Sequence, residues 1–326
     1  MKEIHEVLKL FALPSENFRT EKINSGHINS TYKIIYSDGR KYILQRINGN
    51  VFKNPEEIMS NIKMITSCLK GRVQCPEFMK YRDKNYIMRA NEMWRIYPYI
   101  ENSVSYVTLD DYNQIYEFGR VTGEFHSLVK TLDTEKFYFT LENFHDTQFI
   151  LDELFTVKND NYKREFEFFQ KMQAYAKMLA EKNIPLSVTH NDVKCSNVLF
   201  DRKTGKGITL IDFDTVMPGL AVYDFGDGVR SACITQSRLD LRKFAEYCSG
   251  YFSCNKPEGF ENYFLGTLCI TFELSARYFT DFLKNGNYFS DKTSLQKLER
   301  CRELICTAES IIESKYAFIS VIQEFL

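Results

Sequence analysis

The chain of 326 residues suffices for one large domain or two moderate ones, and its 44% hydrophobic content can fill a core. Its 42 Lys and Arg balance 43 Asp and Glu, a formal net charge of -1, so no general basic field draws it to nucleic acid or anionic lipid. No apolar run of about eighteen residues offers a membrane span, and nine cysteines with no C-x-x-C pair suit buried thiols in a reducing cytosol rather than a zinc site or disulfide framework.

Glu3 and Glu6 before the mostly apolar Val7 to Leu13 mark a helix opening rather than a signal peptide. Ile23 to Ile35 reads as strand, loop around Ser25-Gly26-His27, and strand, and Ser37-Asp38-Gly39 then turns the chain into a third strand, Lys41 to Ile47. Asn54-Pro55-Glu56-Glu57 opens a helix, with an Asn cap, Pro at the first position and acids in the first turn, and the helix runs to about Leu69. Tyr86 to Ile100 supplies two strands parted at Asn91-Glu92.

Beyond Ile100 the period becomes helical. Ile115, Phe118, Val121, Phe125 and Leu128 share one face, and a long helical stretch from Phe149 to Lys182 breaks near Asn159-Asp160-Asn161. From Pro257 onward the pattern is helical again, with a stripe of Leu295, Leu298, Leu304, Ile305, Ile311 and Ile312. Only Val188 to Phe213 interrupts this half with strands. The expected fold class is therefore α+β and two-lobed, with a small β-rich lobe over residues 1–100, a larger helical lobe over 101–326, and a cleft at a hinge near Pro98 to Asn102.

The β-insert carries the chemistry. Thr189-His190-Asn191-Asp192-Val193-Lys194-Cys195-Ser196-Asn197 leads into a strand and turn, and Ile211-Asp212-Phe213-Asp214 closes the hairpin. Asp192, Asn197 and Asp212 together offer the hard oxygen ligands that Mg2+ on a nucleotide needs. The spacing is that of a kinase catalytic loop, H-x-D-x-x-x-x-N, followed by a metal-binding Asp. On that pattern Asp192 orients the acceptor hydroxyl and takes its proton, while Asn197 and Asp212 hold Mg2+ on ATP. Phosphoryl transfer asks for alignment and charge neutralisation more than for a strong base.

Other residues take supporting parts. His190 packs and hydrogen-bonds within the loop, and Lys194 either touches phosphate or is solvated. Asp224-Phe225-Gly226 spells a D-F-G too late in the chain to bind metal, and Asp224 reads as a structural carboxylate bracing the loop. The nucleotide clamp is expected from Gly26, His27, Asn29 and Thr31, with Arg46 pairing phosphate while Gln45 points to the opposite face. Either Glu57 or Glu56 orients Arg46, or both merely favour the helix start. Backbone groups from Tyr97 through Tyr99 to Glu101 are the expected adenine contacts. Gly119 and Gly123 suggest close helix packing, and His126 a satisfied core histidine.

These stretches resemble the aminoglycoside phosphotransferase and choline kinase superfamily. The similarity extends from Gly26-His27-Ile28-Asn29 and Ile43-Leu44-Gln45-Arg46 through His190 to Asn197 and Tyr223-Asp224-Phe225-Gly226-Asp227. Arg277-Tyr278-Phe279-Thr280-Asp281 with Tyr288-Phe289 matches too; within the superfamily the chain is most similar to the N-acetylhexosamine 1-kinase branch, for which the run Asp214 to Gly219 is the more specific. The resemblance implies transfer of the ATP γ-phosphate to the anomeric hydroxyl of N-acetylglucosamine or N-acetylgalactosamine, with Arg277 and Tyr288 holding the sugar beside Asp192. Without it, Arg277 reads as a helix arginine paired to Glu273 and Asp281, four residues to either side. The expected partners are ATP and a small sugar, with no nucleic acid or membrane, in a cytoplasmic monomer or weak homo-oligomer. The alternatives are another acceptor (a different sugar, choline, homoserine or an aminoglycoside) and a ligand-binding pseudokinase, though Asp192, Asn197 and Asp212 are all present.

Overall fold

The computed structural model describes residues 2–23, 29–49, 52–90, 92–157 and 159–326. It begins with α1 (Lys2–Leu10), β1 (Phe18–Ile23), β2 (Ser30–Tyr36), β3 (Lys41–Ile47), α2 (Pro55–Leu69), β4 (Ile87–Arg89) and β5 (Glu92–Pro98). The strands form one antiparallel sheet in the order β1-β2-β3-β5-β4. Residues on alternate positions face opposite sides. One side presents Ile34, Leu44, Trp94 and Ile96 to Ile4, Val7 and Leu8 of α1. The other presents Ile47 and Met93 to Ile58, Met59 and Ile62 of α2, and continues into the main core. Pro55 stands at the start of α2 as expected, but the Asn54 side chain makes no capping bond.

The rest is mainly helical: β6 (Ser103–Val104), α3 (Tyr112–Val129), α4 (Thr147–Phe155), α5 (Lys163–Glu181), β7 (Ser187–Thr189), β8 (Val198–Asp201), β9 (Gly207–Leu210), β10 (Met217–Gly219), α6 (Ala221–Ala232), α7 (Leu241–Phe252), α8 (Phe260–Leu283), α9 (Ser294–Glu313) and α10 (Lys315–Gln323). The architecture is α+β, a small antiparallel sheet region followed by a helical one. α8 is buried from Tyr263 to Asp281 on several faces and packs against α4, α5, α6 and α9. α3 crosses α7 closely enough that a Cβ on Gly119 would overlap the Tyr247 carbonyl, and one on Gly123 that of Tyr251.

The stripe expected on α9 holds at Leu298, Leu304, Ile305 and Ile311, which are buried. Leu295 departs from it at 63% exposure. It shares a helix face with Glu299 and Arg302, four and seven residues on, which are exposed as well. Among the described residues no helix is long and apolar enough to cross a membrane.

Candidate active site

Strands β7, β8 and β9 hold the loop His190 to Asn197 between them. The end of the hairpin is fastened to that loop: Ile211 N–H donates to the Asn197 carbonyl at 2.8 Å, and His190 Nε2 lies 3.0 Å from the Ile211 carbonyl. The His190 ring is buried against Phe125 and Phe213, and burial lowers its pKa. Asp224 on α6 accepts from the backbone N–H of His190 at 2.6 Å and of Asn191 at 2.7 Å, with His126 Nε2 at 2.9 Å. Burial works against the charge of Asp224, but these donors outweigh it and hold the carboxyl below its ordinary range. The other nitrogen of His126 meets the Tyr251 hydroxyl at 2.8 Å, so this histidine is satisfied within the core.

Asp192 follows the left-handed Asn191 (φ 62). Lys194 Nζ reaches its carboxylate at 2.7 Å, and Asn197 Nδ2 donates to the same oxygen at 3.0 Å and to the Asp192 carbonyl at 2.9 Å. Burial raises the pKa of Asp192, and Lys194 with Asn197 more than reverses this. Asp212 also has a left-handed backbone, at φ 69 and ψ 59, a costly conformation for a non-glycine residue. Its carboxyl is pushed up to about 7 by burial and then by Asp214, against Lys194 and Arg95.

Carboxylates thus crowd this corner more than cations balance them. A divalent cation fits such a donor set, with the Asn197 amide oxygen and the Asp212 carboxylate as oxygen ligands. Among the described residues no group of three or more His, Cys, Asp or Glu side chains could hold a metal alone.

The sheet meets this corner through Asp214. Arg95 on β5 bonds it at 2.5 Å, with side chains 1% and 3% exposed. Asn29 donates to its other oxygen. Arg95 also donates to Gln45 at 2.9 Å, and Gln45 to Thr31 at 3.3 Å. Asn29 and Thr31 are therefore joined to the neighbour of Asp212, whereas Gly26 and His27 lie outside the described residues. The face expected for Arg46 is reversed. Register pairs Thr31 with Gln45 and Gln45 with Arg95, so Gln45 looks toward Asp214 and Arg46 looks away. Arg46 bonds Glu92 at 3.2 Å, not Glu57 or Glu56, and Glu56 is taken by Lys84 and Tyr86 at 2.7 Å each. Tyr97 is buried on the Gln45 face, and burial, with Asp212 and Asp214 near, pushes its hydroxyl up. Tyr99 donates to the Ser103 carbonyl at 2.9 Å, with Lys33 Nζ 3.8 Å from its ring centroid.

On the opposite side stands Arg277 of α8. Its guanidinium carbon lies 5.1 Å from the Phe144 ring and 4.9 Å from that of Tyr288, to whose hydroxyl it donates. Neither helix neighbour pairs with it. Glu273 bonds His145 at 2.8 Å, and Asp281 pairs with Lys297 at 2.7 Å while accepting from Tyr288 and Phe289 backbone N–H groups. The ion-paired alternative for Arg277 is thereby set aside. His145 is a residue that no local pattern singles out. Its Nε2 meets the Asn191 carbonyl at 3.0 Å, and burial opposes its charge but Glu273 prevails, raising its pKa. A second unanticipated pair, Asp227 and Arg230 on α6, is close enough to Asp192 for the Asp192 charge to raise the pKa of both. A cleft of about 880 Å3 borders Asn191, Phe144, His145 and Tyr223.

Comparison with known proteins bears on the fold and the family. A homoserine kinase of Zymomonas mobilis is 24% identical over 241 residues, 72% of this chain and 71% of its own. A microcompartment-associated aminopropanol kinase superposes with a TM-score of 0.72 at 15% identity, covering 97% of this chain and 98% of that one. An amicoumacin kinase in complex with AMP-PNP and Ca2+ gives 0.63 at 13%, covering 90% and 88%. A choline/ethanolamine kinase family protein from Mesorhizobium loti gives 0.66 at 13%, covering 99% and 100%. These likenesses establish a protein-kinase-like fold. Residues 19–256 match the phosphotransferase enzyme family, and with most of its length inside that match the chain belongs to it.

Proposed function

We propose that the protein transfers the γ-phosphate of ATP to the anomeric hydroxyl of an N-acetylhexosamine, N-acetylglucosamine or N-acetylgalactosamine. The observation that carries this is the acceptor side. Arg277 has no carboxylate partner among the described residues, and it lies against Phe144 and Tyr288. An unneutralised guanidinium repels cationic acceptors such as choline or an aminoglycoside and donates readily to neutral oxygens. Tyr288, 58% exposed, offers a ring face to a pyranose. The similarity of Asp214 to Gly219 to the sugar 1-kinases favours the same acceptor.

In this mechanism Asp192 orients the acceptor hydroxyl and takes its proton. The acceptor oxygen bonds to the γ-phosphorus as the bond to the bridging oxygen breaks, and ADP leaves. Asn197 and Asp212 would hold Mg2+, whose charge neutralises the phosphates when bound. Residues 1–100, with Asn29, Thr31, Tyr97 and Tyr99 on the nucleotide side, form one lobe, and 101–326 the catalytic lobe.

Homoserine is the second acceptor to consider. The relationship to a homoserine kinase favours it, and its carboxylate would match Arg277. A phosphorylation assay with MgATP and N-acetylglucosamine, N-acetylgalactosamine, homoserine, choline and an aminoglycoside, read by phosphorus NMR, separates these. The expected product is a sugar 1-phosphate, with kcat reduced roughly 10²- to 10⁴-fold in D192N. Turnover of homoserine but not of the sugars would overturn the sugar assignment.

A further inference from the structure

We propose that His145 is a positioning residue for phosphoryl transfer, tying the acceptor helix α8 to the peptide that precedes Asp192. It rests on Asp192 being the group that receives the acceptor proton. Both ring nitrogens of His145 face acceptors: the Glu273 carboxylate at 2.8 Å and the Asn191 carbonyl at 3.0 Å. Both therefore donate, and the ring is a cation held between two elements. Glu273 is fully buried, and its other oxygen accepts from the Thr147 hydroxyl at 3.0 Å, which lies 2.7 Å from that of Tyr223.

Asn191 is the residue most constrained by this arrangement. Its left-handed backbone is held by Asp224 at the N–H, by the Thr215 and Met217 carbonyls at the side-chain amide, and by Thr189 at the side-chain oxygen. His145 takes the remaining polar group, the carbonyl. The plane of that peptide sets the direction in which Asp192 leaves the loop. His145 itself is left-handed at φ 60, so two non-glycine residues in an unfavourable conformation meet in one bond across 46 positions of sequence.

Glu273 also lies one turn before Arg277, on the same face of α8. The helix that presents Arg277 to the acceptor is thus anchored, through one histidine, to the loop that presents Asp192. Displacement of a reacting group by about 1 Å costs rate rather than nucleotide binding.

Steady-state kinetics of H145A and H145N with MgATP, and with whichever of N-acetylglucosamine or homoserine the wild type phosphorylates, give the first test, with D192N alongside. H145A should lower kcat tenfold or more while KM for MgATP stays within twofold. H145N keeps a donor and suits the left-handed backbone, so it should recover part of the loss. Unchanged kcat in H145A, or a parallel rise in KM for MgATP in both variants, overturns the proposal. Should H145A fail to fold, wild-type kcat in H145N overturns it and a lowered kcat at unchanged KM supports it. Full activity in D192N would instead remove the premise. Hydrogen exchange over residues 189–198 gives a readout that needs no acceptor: it should quicken in H145N, and unchanged protection counts against the link.

Discussion

Asp192 and Asp212 flank one hairpin, yet their surroundings tune them in opposite directions. Lys194 and Asn197 keep Asp192 ionised despite burial, while Asp214 adds to burial in raising Asp212. Asp224 differs from both because backbone N–H groups and His126 saturate it. Its folded pKa lies below the value of about 3.9 expected in an unfolded chain, so its contribution is whole above that value and is lost as pH falls through the folded one. We predict that D224N costs about 1.5–3 kcal/mol at neutral pH. The gap to wild type should narrow below about pH 4. Urea unfolding at neutral pH and near pH 3.5 checks this, and a pH-independent gap would speak against a carboxylate brace.

At the scale of elements, the close pass of α3 over α7 depends on glycines. A methyl group on Gly119 meets backbone, the Tyr247 carbonyl, which no rotamer change can move aside. G119A should therefore separate the helices and cost at least about 1–3 kcal/mol, the usual range for overpacking. A denaturation midpoint within error of wild type would show that the pair has slack. α3 also carries His126, which reaches Asp224, so the same variant should loosen the loop from His190 to Asn197 and, on the proposed mechanism, lower kcat.

Across the whole molecule, a buried ion pair joins the sheet to the corner that holds Asp192 and Asp212. Arg95 and Asp214 are 119 residues apart in sequence and almost wholly buried. Nearby, Asn61 of α2 donates to the Val216 carbonyl at 2.9 Å. Removing Arg95 alone strands a buried carboxylate two residues from Asp212. R95M is expected to cost about 3–5 kcal/mol, and R95M/D214N to recover part of it. Urea unfolding of the single and double variants measures the coupling, and additive losses would mean the pair contributes nothing of its own.

The loop from His190 to Asn197 and its hairpin were legible in the sequence because Asp192, Asn197 and Asp212 are local. A short hairpin brings their positions together whatever surrounds it. The helical and strand periods were legible for a similar reason, since each side chain's face follows from its own element. Alternation along β3 likewise determined that Gln45 and Arg46 point oppositely. It did not determine which of them looks toward Asp214, because that depends on the side of the sheet on which the helical region packs. The same limit hid His145, which meets Glu273 across 128 positions, and Arg95, whose partner Asp214 lies 119 positions away. Contacts of that range are set by strand register and helix packing, and only the tertiary structure decided them.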